Sequence, residues 1–318
     1  MNDRYEQMYD AATRYYIQGE TMDTIARGLG VSRSSVSRLL SQARERGLVR
    51  ISLAEHSGSR SPMALTLAEQ FGIQVHLVNV GEGARLNSRF EKVARHAATL
   101  LNSVVADDQL IGVAWGVTMT HIAKHVEPRP LTGVTVVQMN GSTNRYDSAS
   151  PYVGSIMQSI AEKYGARVAL FPVPAFFDYS DTKSAMWRER SVQRVLELQR
   201  RLDVAVFGVG SLHGGVPSHV YTAGYLDAAE LAQIERQGAV GDVCTVLLRE
   251  DGSYSDITFN DRATGLTPRE LARVPRRICV VPDPRRAPAL LGALRAGVAT
   301  DLVCDDVTAR AVVERMGG

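Results

Sequence analysis

Two patterns of hydrophobic residues alternate along most of the chain after residue 62. Short runs rich in β-branched residues, typical of buried strands, alternate with stretches whose apolar residues recur at helical spacing. The strand-like runs lie at 75–80, 110–114, 134–139, 168–171, 204–209, 243–248, 278–281 and 302–304. The helical stretches lie at 88–101, 118–125, 152–164, 182–201, 226–236, 285–296 and 306–316. This order predicts an α/β domain with a mainly parallel sheet covered by helices on both faces.

The first 55 residues follow a different, largely helical pattern. Residues 5–18 form a predicted support helix, and its apolar and aromatic stripe is expected to lie in a core; the stripe consists of Tyr5, Met8, Tyr9, Ala12, Tyr15 and Tyr16. Two shorter helices follow, the first with Ile25, Ala26 and Leu29 on its apolar face, the second with Val36, Leu39, Leu40 and Ala43. The β-like stretch 48–53 then suits a small wing. The segment therefore has the pattern of a winged helix-turn-helix.

The turn between the two short helices carries specific signals. Gly30 allows the positive φ of a tight turn, Val31 is expected to fill the angle between the helices, and Ser32 to cap the second helix. Thr21 is the corresponding start signal of the first helix, with Asp23 in its first turn.

The second short helix is predicted to be the DNA-reading element. If its apolar residues face inward, its opposite face carries short hydrogen-bonding groups and guanidinium groups, which suit the base edges and phosphates of a major groove. From Thr24 to Arg50 there are six arginines and one carboxylate, whereas the whole chain has a formal charge of only +2. An ordinary solvated, serine-rich helix is the alternative. The candidate DNA-binding residues are Thr21, Ser32, Arg33, Ser34, Ser35, Ser37, Arg38 and Arg44.

Length and composition set the remaining limits. At 318 residues and 45% hydrophobic content, the chain accommodates a small domain and a large one. The polar stretch around residues 56–62 separates them, so we predict a DNA-binding domain at 1–55, a linker at 56–62 and a second domain at 63–318. No apolar run approaches the roughly 20 residues that span a bilayer, and the acidic N-terminus is unlike a secretory signal, which predicts a cytosolic protein without a membrane partner.

The cysteines and histidines do not suggest a metal or a redox centre. Cys244, Cys279 and Cys304 each stand alone in an apolar run, which favours buried reduced thiols over metal binding or redox sensing. The seven histidines show no ligand spacing, and we predict neither a metal nor another cofactor.

Glycine-rich or polar loops follow three of the predicted strands. The loop 112–118 (GVAWGVT) places free amides, a helix dipole and a hydroxyl together, which favours an anion or phosphate site over the alternative, a tight glycine turn without a ligand. The loop 138–145 (QMNGSTNR) is a polar cluster that also fits a solvated turn, and the glycine pattern of 207–215 (FGVGSLHGG) is weak alone. Because ligands bind at the carboxyl ends of parallel strands, the three loops together indicate a ligand site.

With both halves in view, the sequence resembles the SorC family of bacterial transcriptional regulators, also described as DeoR-type regulators with a sugar-binding domain. The segments that carry the resemblance are 31–51 (VSRSSVSRLLSQARERGLVRI), 111–119 (IGVAWGVTM), 206–212 (VFGVGSL), 240–256 (VGDVCTVLLREDGSYSD) and 294–314 (LRAGVATDLVCDDVTARAVVE). The resemblance implies a Rossmann-like domain similar to phosphosugar isomerases. It also implies a homo-oligomer, typically a tetramer, whose affinity for operator DNA changes when a sugar, a sugar alcohol or a sugar phosphate binds.

The resemblance also implies where the effector binds. Trp115, Gly116 and Thr118 match the family's phosphate or hydroxyl loop, 140–142 match the loop after the next strand, and Asp242 matches the acidic residue of a GD motif. Gly208, Gly210 and Ser211 match a GIG-type loop, and Tyr152 and Gly154 fall where many members have Gln and Asn. The candidate effector-binding residues are Gly112, Trp115, Gly116, Thr118, Asn140, Gly141, Ser142, Tyr152, Gly208, Gly210, Ser211, Asp242 and Arg286.

One departure from the family concerns the segment 282–286 (PDPRR). Many members have a glycine pair and a phosphate-binding lysine there. Arg286 is a possible replacement as an anion partner, whereas Asp283 would repel a phosphate, so an uncharged polyol or sugar is also a candidate effector.

A phosphosugar isomerase or deaminase with an added DNA-binding domain is the alternative function. Sugar isomerisation requires a positioned base, or a lysine that forms a Schiff base. The available groups show no paired spacing, and we predict no catalytic residue; these groups are Asp178, Asp181, His213, His219, Lys124, Lys163 and Lys183.

Overall fold

The structure is a computed structural model that describes residues 2–49, 61–81, 83–142, 151–216, 218–222 and 224–317. The chain divides into two compact units, Met1–His56 and Ser57–Gly318. The predicted linker at 56–62 lies outside the described residues up to residue 60. Its last two residues belong to a helix instead, because Ser61 is the N-cap and Pro62 the first residue of a helix that the sequence pattern missed.

Residues 2–49 of the first unit form three α-helices, α1 (Asn2–Ala12), α2 (Met22–Leu29) and α3 (Arg33–Glu45), and a π-helical turn, Thr13–Ile17, continues α1. Its core is formed by Met8, Ala11, Ala12, Ile25, Ala26, Val36, Leu39, Leu40 and Ala43. The prediction that the stripe of the first helix lies in a core is confirmed for Met8 and Ala12 and was wrong for Tyr5 and Tyr9, which are 49% and 61% exposed. Met8, Ala11 and Ala12 form the buried face of α1, which packs against α3.

The turn between α2 and α3 has the expected caps. The Thr24 N–H donates to Thr21 Oγ1, the Ser35 N–H donates to Ser32 Oγ, and Gly30 ends α2 with φ of 65°. Val31 differs from the prediction because it is exposed and does not fill the angle between the helices. Leu48 and Val49 form no strand, and the remainder of the predicted wing lies outside the described residues.

The second unit is built on a seven-stranded parallel sheet in the order β1-β10-β9-β5-β2-β3-β4. These strands are β1 (Gln74–Val78), β2 (Leu110–Val113), β3 (Thr135–Gln138), β4 (Arg167–Ala169), β5 (Val204–Gly208), β9 (Arg276–Val281) and β10 (Asp301–Asp305). Both faces are buried, as β5 shows: Ala205 and Phe207 belong to one hydrophobic cluster, whereas Val204 and Val206 belong to the other. The predicted mainly parallel α/β domain is confirmed.

Helices cover the sheet. They are α4 (Pro62–Phe71), α5 (Leu86–Val104), α6 (Val117–His125), α7 (Pro151–Tyr164), α8 (Ser180–Met186), α9 (Arg190–Gln199), α10 (His219–Thr222), α11 (Ala228–Arg236), α12 (Pro268–Leu271), α13 (Ala287–Arg295) and α14 (Asp306–Met316). The predicted helix at 182–201 is two helices, α8 and α9. The chain leaves the helical path between them, and Trp187 packs edge-on against Phe171 and Phe177, with ring centroids 5.7 and 5.9 Å away.

A small antiparallel sheet, β6-β7-β8, lies beside the main sheet in the fold. Its strands are β6 (Gly210–Ser211), β7 (Gly241–Val243) and β8 (Val246–Leu248). The single strand predicted at 243–248 was therefore wrong, because a two-residue turn at Cys244 and Thr245 splits it. Both residues have positive φ, 50° and 69°, the backbone of a tight hairpin turn that Asn-Gly usually forms.

Candidate functional site

A cleft lies at the carboxyl ends of the central strands β2, β3 and β5. From β2 the chain proceeds outward in one direction through β3 and β4, and in the other direction through β5, β9 and β10. The sheet order thus reverses between β2 and β5, which is where open α/β sheets bind their ligands. The cleft has a volume of about 530 Å³, its open mouth included.

The loop after β2 forms one wall. Gly116 has φ of 143°, a backbone conformation that favours glycine, and directly precedes α6. The first intrahelical bond of α6 runs from the Thr120 N–H to the Gly116 carbonyl (3.0 Å), so the three amides before it point out of the helix end as donors. The indole N–H of Trp115 donates to the Gly141 carbonyl (2.9 Å), and its ring stacks on Tyr225 at 5.2 Å. Trp115 therefore holds the loops after β2 and β3 together.

Asn140 brings a buried amide to the cleft. Its side chain is buried, yet its Oδ1 has no hydrogen-bond partner among the described residues. A buried polar atom without a partner costs about 1–3 kcal/mol, so such an atom in a cleft indicates a missing donor. The position of Asn140 is fixed from behind, because Gln138 donates its Nε2 to the Asn140 carbonyl (2.7 Å) and accepts the Phe171 N–H (3.0 Å).

The hairpin turn between β7 and β8 forms a second wall. Asp242 accepts two hydrogen bonds, from the Tyr221 hydroxyl at Oδ1 (2.8 Å) and from the Thr245 N–H at Oδ2 (2.9 Å). Burial raises the pKa of this carboxyl, and the two donors oppose the shift. The carboxylate thus holds the positive-φ turn in place and ties it to α10. Cys244 and Thr245, both in strained backbone, face the cleft.

Arg286 closes the end of the cleft. Its guanidinium is buried and donates to the backbone carbonyls of Val209 and of Val216, the latter at 2.8 Å. Its Nε lies 3.6 Å from Asp283 Oδ2 and has no hydrogen-bond partner among the described residues. Burial lowers the pKa of Arg286, while the charges of Asp283 and Asp242 oppose this.

The short helix α10 adds residues that were not among the predicted effector-binding residues, although His219 was weighed as a catalytic base. Ser218, His219 and Val220 line the cleft, and the His219 ring stacks on Tyr152 at 4.8 Å with an interplanar angle of 13°. Burial lowers the pKa of His219, which favours the neutral imidazole. The Tyr152 hydroxyl in turn receives a hydrogen bond from Thr120 (2.8 Å), so Tyr152 supports His219 from behind.

The structure divides the thirteen candidate effector residues into two groups. Those that line the cleft are Trp115, Gly116, Thr118, Asn140, Gly208, Gly210, Asp242 and Arg286. Those that do not are Gly112, Gly141, Ser142, Tyr152 and Ser211. Gly112 lies within the sheet, where a Cβ would approach Leu202 and Met139 at 2.6 and 2.7 Å. Gly141 and Ser142 accept hydrogen bonds from Trp115 and Tyr225 through their carbonyls.

Ser211 lies behind the cleft wall, where its Oγ receives the His213 N–H. The cleft-lining residues that were missed are Ala114, Val117, Met119, Val209, Ser218, His219, Val220, Cys244 and Thr245. Ala114, Val117, Met119 and Val209 are chain neighbours of predicted residues, so the loops that they belong to were already indicated by the sequence. No comparable signal marks His219, which reaches the cleft through tertiary packing alone.

The candidate DNA-binding residues lie around the start and along one face of α3. Ser34, Ser37, Arg38 and Arg44 are exposed on this helix, and the Arg33 side chain is 70% exposed with Asp23 3.8 Å away. Thr21 and Ser32 are the N-caps of α2 and α3, and the Ser35 hydroxyl hydrogen-bonds to Ser32. The exposed face of α3 is thus basic and rich in hydroxyl groups, opposite its buried side.

Two further observations concern the described residues as a whole. They contain no helix that is long and apolar enough to cross a bilayer. They also contain no group of three or more His, Cys, Asp or Glu side chains arranged to hold a metal ion. Of the side chains considered for catalysis, only His219 lines the cleft.

A cleft at the switch point of a parallel sheet is the position at which open α/β domains bind small molecules. Residues 58–314 match the family model described as "Putative sugar-binding domain". The chain is 30% identical over 304 residues to the deoxyribonucleoside regulator of Bacillus subtilis, covering 96% of each chain.

Solved structures agree with this match. A domain of a possible sugar-binding transcriptional regulator from Arthrobacter aurescens is 42% identical with a TM-score of 0.75, covering 82% of this chain and all of that one. The full-length sorbitol operon regulator SorC from Klebsiella pneumoniae, 22% identical, shares the fold with a TM-score of 0.81 over 98% of this chain and 99% of its own. The chain belongs to the SorC family of transcriptional regulators with a sugar-binding domain. These matches favour a regulator over the enzyme alternative.

Proposed function

We propose that this regulator binds operator DNA through α3 and that a small polyhydroxylated effector in the cleft between β2 and β5 changes its DNA affinity. The observation that carries the effector site is the unpartnered Asn140 Oδ1 at the switch point of the sheet. It lies in a cleft with Thr118, His219 and Arg286, so the polar groups of several separate loops converge there. Convergent polar groups in a concave site are the usual means of orienting a small ligand.

The exposed face of α3 supports the DNA-binding part of the proposal. Arginines donate to guanine and to phosphates, and serine hydroxyls hydrogen-bond to base edges or phosphates. The buried face of the same helix, from Val36 to Ala43, fixes the helix on α1 and α2. We propose that Arg33, Ser34, Ser37, Arg38 and Arg44 contact the DNA directly. Thr21, Ser32 and Ser35, at the N-terminal ends of α2 and α3, would lie near the DNA backbone.

A single α3 offers one recognition helix, which reads one half-site. Tight specific binding by such helices requires two half-sites and therefore a symmetric protein. We accordingly propose a homo-oligomer, a dimer or a tetramer. Since the operator is the partner, we expect the protein in the cytoplasm.

The effector site is tested by removing one hydroxyl from the cleft. Thr118 lines the cleft, whereas Thr120, two residues later in α6, has its hydroxyl in hydrogen-bond contact with the Gly116 carbonyl and the Tyr152 hydroxyl and does not line it. Thermal-shift screening of sugars, polyols and their phosphates first identifies a ligand, because binding to the folded state raises its stability. Fluorescence anisotropy then measures DNA binding to promoter fragments with and without this ligand.

We expect Thr118→Val to lower the affinity for the ligand by about ten-fold, the equivalent of one hydrogen bond of about 1.4 kcal/mol. The effect of a given ligand concentration on DNA binding should fall accordingly. Thr120→Val should retain both near the wild-type values. The coupling is a linkage effect, so a ten-fold loss of ligand affinity should move the DNA response to a ligand concentration about ten-fold higher. A Thr118→Val protein with an unchanged response would contradict the proposed site.

A further inference from the structure

The charged groups around the cleft bear on the chemistry of the ligand. Among the cleft-lining residues, Arg286 is the one with a fixed positive charge. Its two terminal nitrogens donate to the carbonyls of Val209 and Val216, which fastens the loop after β5. The remaining Nε faces the carboxylate of Asp283. The guanidinium is therefore already surrounded by acceptors of the protein.

Two carboxylates accompany this arginine. Both oxygens of Asp242 accept hydrogen bonds, and so do both oxygens of Asp283, from the N–H groups of Gly215 (2.7 Å) and Arg285 (3.0 Å). Hydrogen bonds accepted at both oxygens favour the ionised form of a carboxyl group. Arg286 thus contributes one positive charge against two negative ones, and the formal charge of the group is −1.

A phosphate ester would fit this group poorly. It carries about −1.5 to −2 charges at neutral pH and offers oxygens that mainly accept. Burying it beside Asp242 and Asp283 would leave negative charge without a partner, which is unfavourable in a desolvated site.

A hydroxyl group matches the same surroundings. It both donates and accepts. It can accept from the free amides at the start of α6, close to Asn140, whose buried Oδ1 has no hydrogen-bond partner among the described residues. His219 and Thr118 add further uncharged hydrogen-bonding groups to the cleft wall.

We infer that the cleft selects an uncharged polyhydroxy compound, a free sugar or sugar alcohol, and that the Asp283–Arg286 pair excludes its phosphate ester. This inference rests on the proposed effector site. It adds a specificity-determining role for Asp283, a residue that lies behind the cleft wall and does not itself line it.

Titration calorimetry on the full-length protein tests the inference. The probes are erythritol, sorbitol, ribose and deoxyribose, each paired with its phosphate monoester, together with inorganic phosphate. We expect the free member of any pair that binds to have an affinity at least about ten-fold higher than its phosphate ester. Inorganic phosphate at millimolar concentration should not weaken the binding of the free compound.

Tighter binding of a phosphate ester would overturn the inference and leave the proposed effector site intact. If Thr118→Val bound every probe as tightly as the wild type does, the proposed effector site would be refuted, and the inference with it.

A variant locates the selectivity. Asp283→Asn removes the negative charge and retains one acceptor. It should lower the ratio of the affinity for the free compound to that for its phosphate ester by about ten-fold, mainly because the ester binds more tightly. Asp251→Asn removes an exposed charge elsewhere and should leave the preference unchanged. An Asp283→Asn protein with the wild-type preference would refute the role of Asp283. If that variant does not fold, the wild-type preference still decides the ligand class.

Discussion

The two proposed binding regions of this protein present their polar groups in opposite ways. On α3 the arginines and serines of the outer face are exposed, and the helix start is satisfied by its own cap, Ser32. In the cleft the polar groups are buried, and Asn140 and Arg286 each retain an atom without a hydrogen-bond partner among the described residues. DNA, a large polyanion, can bind to a solvated surface, whereas a small ligand requires polar groups that are already desolvated and oriented.

This difference has a consequence for how mutations act. A side chain on the outer face of α3 has few contacts with the protein, so its removal should alter DNA binding without altering stability. A cleft residue such as Asp242 also holds the hairpin turn and α10 together. Function and stability are therefore separable in the first region and coupled in the second.

The largest expected effect is at Gly210 and tests whether function and stability are coupled in the cleft. A Cβ at this position would lie 1.8 Å from Asp242 Oδ1, so Gly210→Ala must displace the carboxylate that anchors the hairpin. We expect the free energy of unfolding to fall by about 3 kcal/mol, the upper range for overpacking, together with loss of the effector response. Urea denaturation and ligand-dependent anisotropy measure the two effects.

Gly154→Ala is the matched control. Gly154 lies in α7, and a Cβ there would meet no heavy atom within 4 Å. Alanine should raise stability by up to about 1 kcal/mol through helix propensity. A Gly210→Ala protein with wild-type stability and a wild-type effector response would show that Asp242 does not couple stability to effector binding.

The second prediction tests separability on α3. Arg38→Ala should weaken operator binding by about 1–3 kcal/mol, the usual contribution of an arginine that contacts a base, with no change in the unfolding transition. Arg201→Ala, an exposed arginine of the second unit, serves as the control. Equal DNA affinities for both variants and the wild type would remove α3 as the reading helix.

The same contrast explains which features could be predicted from the sequence. The helices of the first unit and the strands of the main sheet follow from local periodicity, because each element buries a continuous face. Thr21, Gly30 and Ser32 are local signals too, and the structure confirms their positions at the ends of α2 and α3. Periodicity failed for Tyr5 and Tyr9, because helical spacing alone does not show which face of a helix is covered.

The cleft could be predicted only in part. The loop at 114–118 was visible because glycine and threonine follow a strand, whereas His219 arrives from a helix 100 residues later in the chain. The turn at Cys244 and Thr245 contains neither Asn nor Gly, and the Asp242 carboxylate stabilises it through a contact three residues away. Sequence patterns do not record such side-chain contacts.

The third prediction uses the two tryptophans of the chain. Trp115 donates an indole hydrogen bond to the buried Gly141 carbonyl, whereas Trp187 packs against Phe171 and Phe177 through ring contacts. Trp115→Phe should cost about 2 kcal/mol of stability, since it leaves the carbonyl without a donor, and Trp187→Phe should cost less. Each variant retains one tryptophan, whose emission can be excited selectively over that of the tyrosines. Effector binding should therefore change the emission of the Trp187→Phe protein and leave that of Trp115→Phe nearly constant, and the reverse result would contradict the position of the ligand.

The smallest expected effect distinguishes the two kinds of serine on α3. Ser32 accepts the Ser35 N–H and caps the helix, whereas Ser37 is exposed in the helix interior. Ser32→Ala should therefore lower the stability of the first unit by about 1 kcal/mol, measured by thermal unfolding followed by circular dichroism. Ser37→Ala should leave stability unchanged or slightly higher, because alanine is the better helix former, while weakening operator affinity. If Ser32→Ala lowered DNA affinity without any loss of stability, the cap residue would itself be a DNA contact, and the separation between scaffold and reading face on α3 would not hold.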